Sequence, residues 1–316
     1  MTKKTTPCLH GPLMSRREFL AWQAGGLGFA AALLHGLPFS AQALAATPDL
    51  AVAVGDPGPA TREAVRLLGG IGQFVKPGSR VVIKPNMSFS GPPERGSTTH
   101  PQVVRELVSL CREAKAGSVS VLDNPLGPAE RCIEGIREAC RLDGEDIVHA
   151  VENRRLFSAA AIADGESLKA TEVMTEVLKA DVLIAVPVAK SHGSTGVSLS
   201  MKGMMGLISN RGTLHRDHDL DVAIVDLASL LKPHLVVIDA TRVLSSHGPG
   251  GPGLVLQPRT VIASRDMVAA DALAVERFSW YGRKMNASQV SHIRLAHERK
   301  LGRMDIANLS VVEGKA

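Results

Sequence analysis

Short apolar runs alternate with longer amphipathic segments along residues 46–316. The runs at 50–54 (LAVAV), 80–84 (RVVIK), 118–123 (SVSVLD), 146–151 (DIVHAV), 181–187 (DVLIAVP), 235–239 (LVVID) and 260–264 (TVIAS) are rich in Val, Ile and Leu, and 308–312 (NLSVV) is a weaker eighth. Their length and β-branched content predict strands. Between them, apolar residues recur every three or four positions, which predicts helices over 60–69, 101–115, 128–142, 171–179, 219–231, 266–279 and 287–299. Start signals support several of these: Pro101 follows Thr98-Thr99-His100, and Asp219 and Asp266 each precede an apolar run. Strands interleaved with such helices predict an α/β fold: one doubly wound, mostly parallel sheet with helices on both faces. Residues 152–170 break the rhythm and read as a small β insertion within a single domain covering 46–316.

Polar clusters sit where the predicted strands end. Lys84-Pro85-Asn86 closes the second run, Asp123-Asn124-Pro125 the third, and Lys190-Ser191-His192 follows 181–187. Asp239 ends 235–239, and Arg265-Asp266 follows 260–264. Open α/β sheets bind ligands beyond the carboxyl ends of their strands. Parallel strands would bring all five clusters to one rim. The richest is KSHGSTGVSLSMKGMMG (190–206): its glycines permit close backbone approach, Met201 to Gly206 predicts a short helix, and Lys190 and Lys202 add charge for an anion.

Composition narrows the partners. Lys3, Lys4, Arg16 and Arg17 against Glu18 supply most of the formal net charge of +5, and the rest of the chain is nearly balanced. With aromatic residues at 3%, neither the charge nor the stacking surface for nucleic acid is present. Ser15-Arg16-Arg17-Glu18-Phe19-Leu20 has the form of a twin-arginine export signal. A diluted apolar stretch follows, then the small-residue triplets Ala41-Gln42-Ala43 and Ala43-Leu44-Ala45, which suit signal peptidase. The expectation is a signal over residues 1–45, recognised by the twin-arginine translocase and removed by signal peptidase. It leaves a periplasmic protein with no lasting membrane anchor. Cys111, Cys132 and Cys140 remain, without C-x-x-C spacing, so no self-contained iron–sulfur cluster is expected.

Several familiar motifs fail. No G-x-x-x-x-G-K-[ST] or G-x-G-x-x-G is present, Gly193-Ser194-Thr195-Gly196 is not G-x-S-x-G, and His215-Arg216-Asp217 lacks the other parts of a kinase loop. His215, His218 and Asp217, with His192 and His247, offer ligand types for a divalent metal but no defining spacing.

The set KPN (84–86), GSTTHP (96–101), SLSMKGMMG (198–206), DLASLLKPHLVVIDA (226–240), SSHGPGG (245–251) and ASRDMVAADALA (263–274) resembles domain of unknown function family 362, in order, over about residues 50–313. The resemblance implies candidate site positions Lys84, Asn86, Thr99, His100, Lys202, Asp239 and Asp271. It also implies an association with iron–sulfur proteins, although this chain lacks the ferredoxin-like cysteine clusters of some relatives. Lys202 is followed here by Gly203, where many relatives carry asparagine. Together, Lys84, Lys190 and Lys202 would meet a small anionic ligand, with Asn86, Thr99 and His192 orienting it. Asp239, His100 and His215 would serve as general base, proton carriers or metal ligands. Two functions fit: an enzyme acting on a small anion, with or without a divalent metal, or a non-catalytic accessory protein of an exported redox system.

Overall fold

A computed structural model of the chain describes residues 47–141 and 146–316; the signal expected over 1–45 lies outside them. In chain order the strands are β1 (Leu50–Val54), β2 (Arg80–Pro85), β3 (Ser118–Asp123), β4 (Val148–Ala150), β5 (Phe157–Ala161), β6 (Ala170–Met174), β7 (Val182–Val186) and β8 (Val188–His192). There follow β9 (Gly196–Ser198), β10 (Leu235–Leu244), β11 (Val255–Leu256), β12 (Thr260–Ser264), β13 (Ser279–Trp280), β14 (Arg283–Lys284) and β15 (Val311–Lys315). The main sheet runs β15-β1-β12-β10-β7-β2-β3-β4, with β8, β9 and β11 attached beside β10. Along that eight-strand path the pairings are parallel except at β12, which is antiparallel to both β1 and β10. Of the attached strands β8 is parallel to β10, and β11 and β9 pair antiparallel with β10 and β8. The result is an α/β fold on a mostly parallel central sheet.

Period-two alternation places the core on both sides of that sheet. Val82, Leu183, Ala185, Val236 and Ile238 face one apolar layer; Val81, Ile83, Ile184, Leu235 and Val237 face the other. The second layer is closed by helices Pro57–Leu67, Pro101–Glu113 and Ala129–Cys140, through side chains such as Ala64, Leu107 and Ile133. The first is closed by helices Leu220–Leu230, Met267–Arg277 and Ser291–Glu298, and by the methionine-rich segment around Met201, Met204 and Met205. Each fully buried Val, Leu or Ile stabilises by about 1.5–3 kcal/mol relative to exposure. That accounts for the apolar runs of β7, of residues 235–238 in β10 and of residues 261–263 in β12.

The predicted caps are present. The His100 ring accepts from the Gln102 amide, Asp219 from Asp221 and Val222, and Asp266 from Val268 and Ala269. Cys132 and Cys140 share one helix, and all three described cysteines are buried free thiols.

Three expectations change. The helix expected over 171–179 is strand β6 followed by a single turn, Thr175–Lys179. Ala170–Met174 pairs antiparallel with β5 as the two-stranded insertion, so strand pairing overrides a weak helical period. The last strand lies at Val311–Lys315 rather than 308–312, paired with β1. The third change concerns direction. Because β12 is reversed, its carboxyl end lies beside the amino ends of β1 and β10, with Ser264 opposite Leu50 and Val236. Arg265 and Asp266 therefore leave the rim, where three clusters remain, because Asp239 lies inside β10 rather than at its end.

Candidate functional site

Beyond the carboxyl ends of β2, β3 and β8 lies a cleft of about 170 Å³. Six expected residues line it: Lys84, Asn86, Lys190, His192, Lys202 and His215. Arg211, Ser88, Ser198, Phe89, Met205 and Pro249 complete much of the wall.

The three lysines differ in their partners. Lys84 is fully enclosed; its Nζ lies 3.1 Å from Asp123 Oδ1 and donates to the Pro85 carbonyl. Asp123 in turn accepts from the amides of Met87 and Asn124, at 2.7 and 2.9 Å, so one carboxylate ties the β2 and β3 loops to a lysine. Gly206 packs against this pair, and a Cβ there would collide with Asp123 Oδ1 and Lys84 Cε. Glycine is required at that point by close approach. Lys190 Nζ donates to the Ser97 carbonyl at 2.6 Å and to Asn86 Oδ1 at 3.2 Å, and lies 4.7 Å from the centre of the Phe89 ring. Lys202 has neither carboxylate nor carbonyl within reach; its Nζ meets only the Met205 sulfur, at 3.6 Å. Burial lowers the pKa of all three lysines, with Asp123 opposing the shift at Lys84 and Lys190. For Lys202, burial and Arg211 bring the value down to about 8.

The histidines form a pair. The His192 and His215 rings stack at 6.0 Å between centroids. His192 Nδ1 accepts the Ser194 amide at 3.2 Å, which puts the proton of the neutral ring on Nε2. Burial and the neighbouring Lys202 push the His192 pKa down to about 3, and burial with Lys202 and Arg211 also lowers that of His215. Both rings are neutral near pH 7. Arg211 and His215 stand four residues apart on the short helix Arg211–Arg216, a spacing that places them on one face. His218 turns elsewhere, its Nδ1 2.8 Å from the Ser167 carbonyl. Among the described residues no group of three or more His, Cys, Asp or Glu side chains is arranged to hold a metal ion.

Three expected residues act as struts outside the cleft. Thr99 Oγ1 accepts the Asn86 amide and donates to the Val186 carbonyl, joining the β2 loop to β7. Asp239 is fully buried and accepts from the His100 amide, the Thr241 amide and hydroxyl, and Arg242 Nη2. Those four bonds fill its acceptor sites, so its lone pairs are not directed at a ligand in the cleft. His100 caps its helix with Nδ1, and burial and Arg242 lower its pKa.

Asp271 also has a structural use. The expected short helix exists at Ser200–Gly203, but its leading amides do not await an external anion. Asp271 accepts from the Ser200 amide and hydroxyl and from the Met201 amide, at 2.9, 2.5 and 3.0 Å. The anion at that helix start is the protein's own, and it fixes the turn that carries Lys202.

Arg211 is the charged cleft residue that sequence reasoning did not single out, and Asp123, noted only as part of a polar cluster, is the carboxylate behind it. Asp123 was visible as the polar end of a strand, and Arg211 through its four-residue spacing from His215. In sum, Lys84, Lys190 and Arg211 feel the one carboxylate of Asp123, and Lys202 feels the more distant Asp221.

The family described as Domain of unknown function (DUF362) matches residues 81–276. A thylakoid-associated protein of Synechocystis sp. is 30% identical over 228 residues, covering 68% of this chain and 69% of its own length. Among solved structures, the lactate racemase apoprotein from Thermoanaerobacterium thermosaccharolyticum aligns with a TM-score of 0.42 and 12% identity, over 59% of this chain and 49% of that one. A Thermotoga maritima protein aligns with a TM-score of 0.35 and 15% identity, over 58% and 51%. The chain thus spans about half the length of those two structures. KPN, THP and the Lys202 block all lie inside the matched span, and the chain belongs to the DUF362 family.

Proposed function

We propose that the cleft is the substrate site of an enzyme that acts on a small anion bearing a carboxylate or phosphate. The observation that carries this reading is the imbalance of charge. Burying an unpaired cation costs several kcal/mol, and four basic groups line the cleft while no carboxylate does; the nearest, Asp123, already holds Lys84. A bound anion would offset that cost. The cleft volume is below the ~300 Å³ at which sites for drug-sized ligands begin, so the ligand is a molecule of few carbons.

Calorimetric titration with inorganic phosphate tests the site. One phosphate should bind per chain, and Lys202→Ala and Arg211→Ala should each weaken binding by about 2 kcal/mol, roughly thirtyfold. Equal phosphate affinity in both variants and the wild type would remove the cleft as the binding site.

We also place the working protein outside the cytoplasm. The twin-arginine run and the small-residue triplets before residue 46 support this placement.

A further inference from the structure

The anion site is built around an amine that the anion alone does not explain. Lys84 and Lys190 have oxygen partners that hold their amines in place. Lys202 Nζ faces the same cleft with a thioether as its only hydrogen-bonding contact, beside His192, His215 and Arg211. Its backbone is held from behind by Asp271 through Ser200 and Met201, so the side chain projects from a fixed turn. An amine that is buried, unpaired and close to other positive charge has the surroundings that make a lysine nucleophilic. The Arg211 guanidinium has no hydrogen bond to protein among the described residues, and its planar fork is suited to a carboxylate. Apolar walls from Phe89, Leu126 and Met205 leave room for a short alkyl group.

We propose that Lys202 condenses with the carbonyl group of a short 2-oxo acid whose carboxylate is held by Arg211. This rests on the anion-site reading and names the substrate class within it. The neutral Nζ adds to the carbonyl carbon; a C–N bond forms as the carbonyl π pair moves to oxygen. A proton passes from nitrogen to that oxygen to give a carbinolamine. With one further proton taken from solvent, the hydroxyl leaves as water and the nitrogen lone pair closes an iminium. No oxidant or reductant is consumed. The lowered pKa of Lys202 supplies on the order of a hundredfold more neutral amine at pH 7 than an exposed lysine carries.

Reductive trapping tests the assignment. The full-length protein is incubated with pyruvate and sodium cyanoborohydride, then examined by intact mass and peptide mapping. The expected result is one reduced pyruvate per chain on Lys202, formed at least about tenfold faster than on exposed residues such as Lys115. Phosphate should slow the labelling. Lys202→Arg keeps the positive charge, so it should bind phosphate more tightly than Lys202→Ala does and still lose the adduct. Labelling spread evenly over surface lysines, or placed on Lys84 or Lys190, overturns the proposal even if phosphate still binds. Absence of both phosphate binding and adduct removes the anion site as well. Should Lys202→Arg fail to fold, the wild-type peptide map decides the question alone.

Discussion

Three lysines of the same residue type reach one cleft and end in three electrostatic states. Partners make the difference: Asp123 for Lys84, a carbonyl and an amide oxygen for Lys190, and sulfur for Lys202. Lys202 therefore sets the pH dependence. Above pH 8, where phosphate is already the dianion, its affinity should fall by up to about tenfold per pH unit as the amine loses its proton. In Lys202→Arg the affinity should stay level over that range, and an unchanged profile in wild type would dissociate Lys202 from binding. Stability of the ligand-free protein moves the other way. The folded-state value of about 8 lies below the ordinary 10.5, so the unfolded chain holds the proton more tightly and stability rises as pH climbs from 8 toward 10.5. At this scale the sequence was readable where a charged residue ends a strand. It was misleading at Thr99 and Asp239, because residue type does not reveal whether a buried polar group faces a ligand or neighbouring backbone. Both do the latter.

A helix of four residues has no stability of its own, and Ser200–Gly203 depends on another element for its start. Asp271 provides it from the middle of helix Met267–Arg277. Burial pushes the Asp271 pKa up to about 6, against the pull of its three donors. In Asp271→Asn one carboxylate oxygen becomes an NH₂ that faces a backbone N–H. The expected loss is about 2–3 kcal/mol, on the order of 5 °C in Tm, with weaker phosphate binding because the turn bearing Lys202 loosens. A melting curve and titration matching wild type would refute this coupling. Most elements could be read from periodicity, since long amphipathic helices and two-sided apolar strands leave strong patterns. The direction of β12 could also have been read: no helical pattern separates 239 from 260, and a parallel return needs a crossover, whereas an antiparallel one needs only a loop. Strands β8 and β9 left little signal because their lysine, serines and histidine serve the cleft rather than an amphipathic pattern.

On the scale of the whole molecule, the sheet joins distant parts of the chain: Leu50 pairs with Val311 and Val54 with Lys315. Such non-local pairing is completed only after the last strand has been made. A chain of this kind is suited to a route that carries folded protein, which is how the twin-arginine run at residues 15–20 is read. Cell fractionation should recover the wild-type protein in the periplasm, shortened near residue 45. Arg16→Lys combined with Arg17→Lys should leave it folded and full-length in the cytoplasm. Full-length wild-type protein confined to the cytoplasm would contradict the placement. The reversal of β12 has one more effect, on the path of the chain. Helix Met267–Arg277 sets out beside the start of β10, and by Tyr281 the chain has come back to its finish. There the Tyr281 amide donates to the Ser245 carbonyl and its hydroxyl to the Gly196 carbonyl. The turn that withdraws Arg265 and Asp266 from the rim thus routes a brace along its back. The chain after β12 braces the end of β10 and β9 without adding a charge to the cleft.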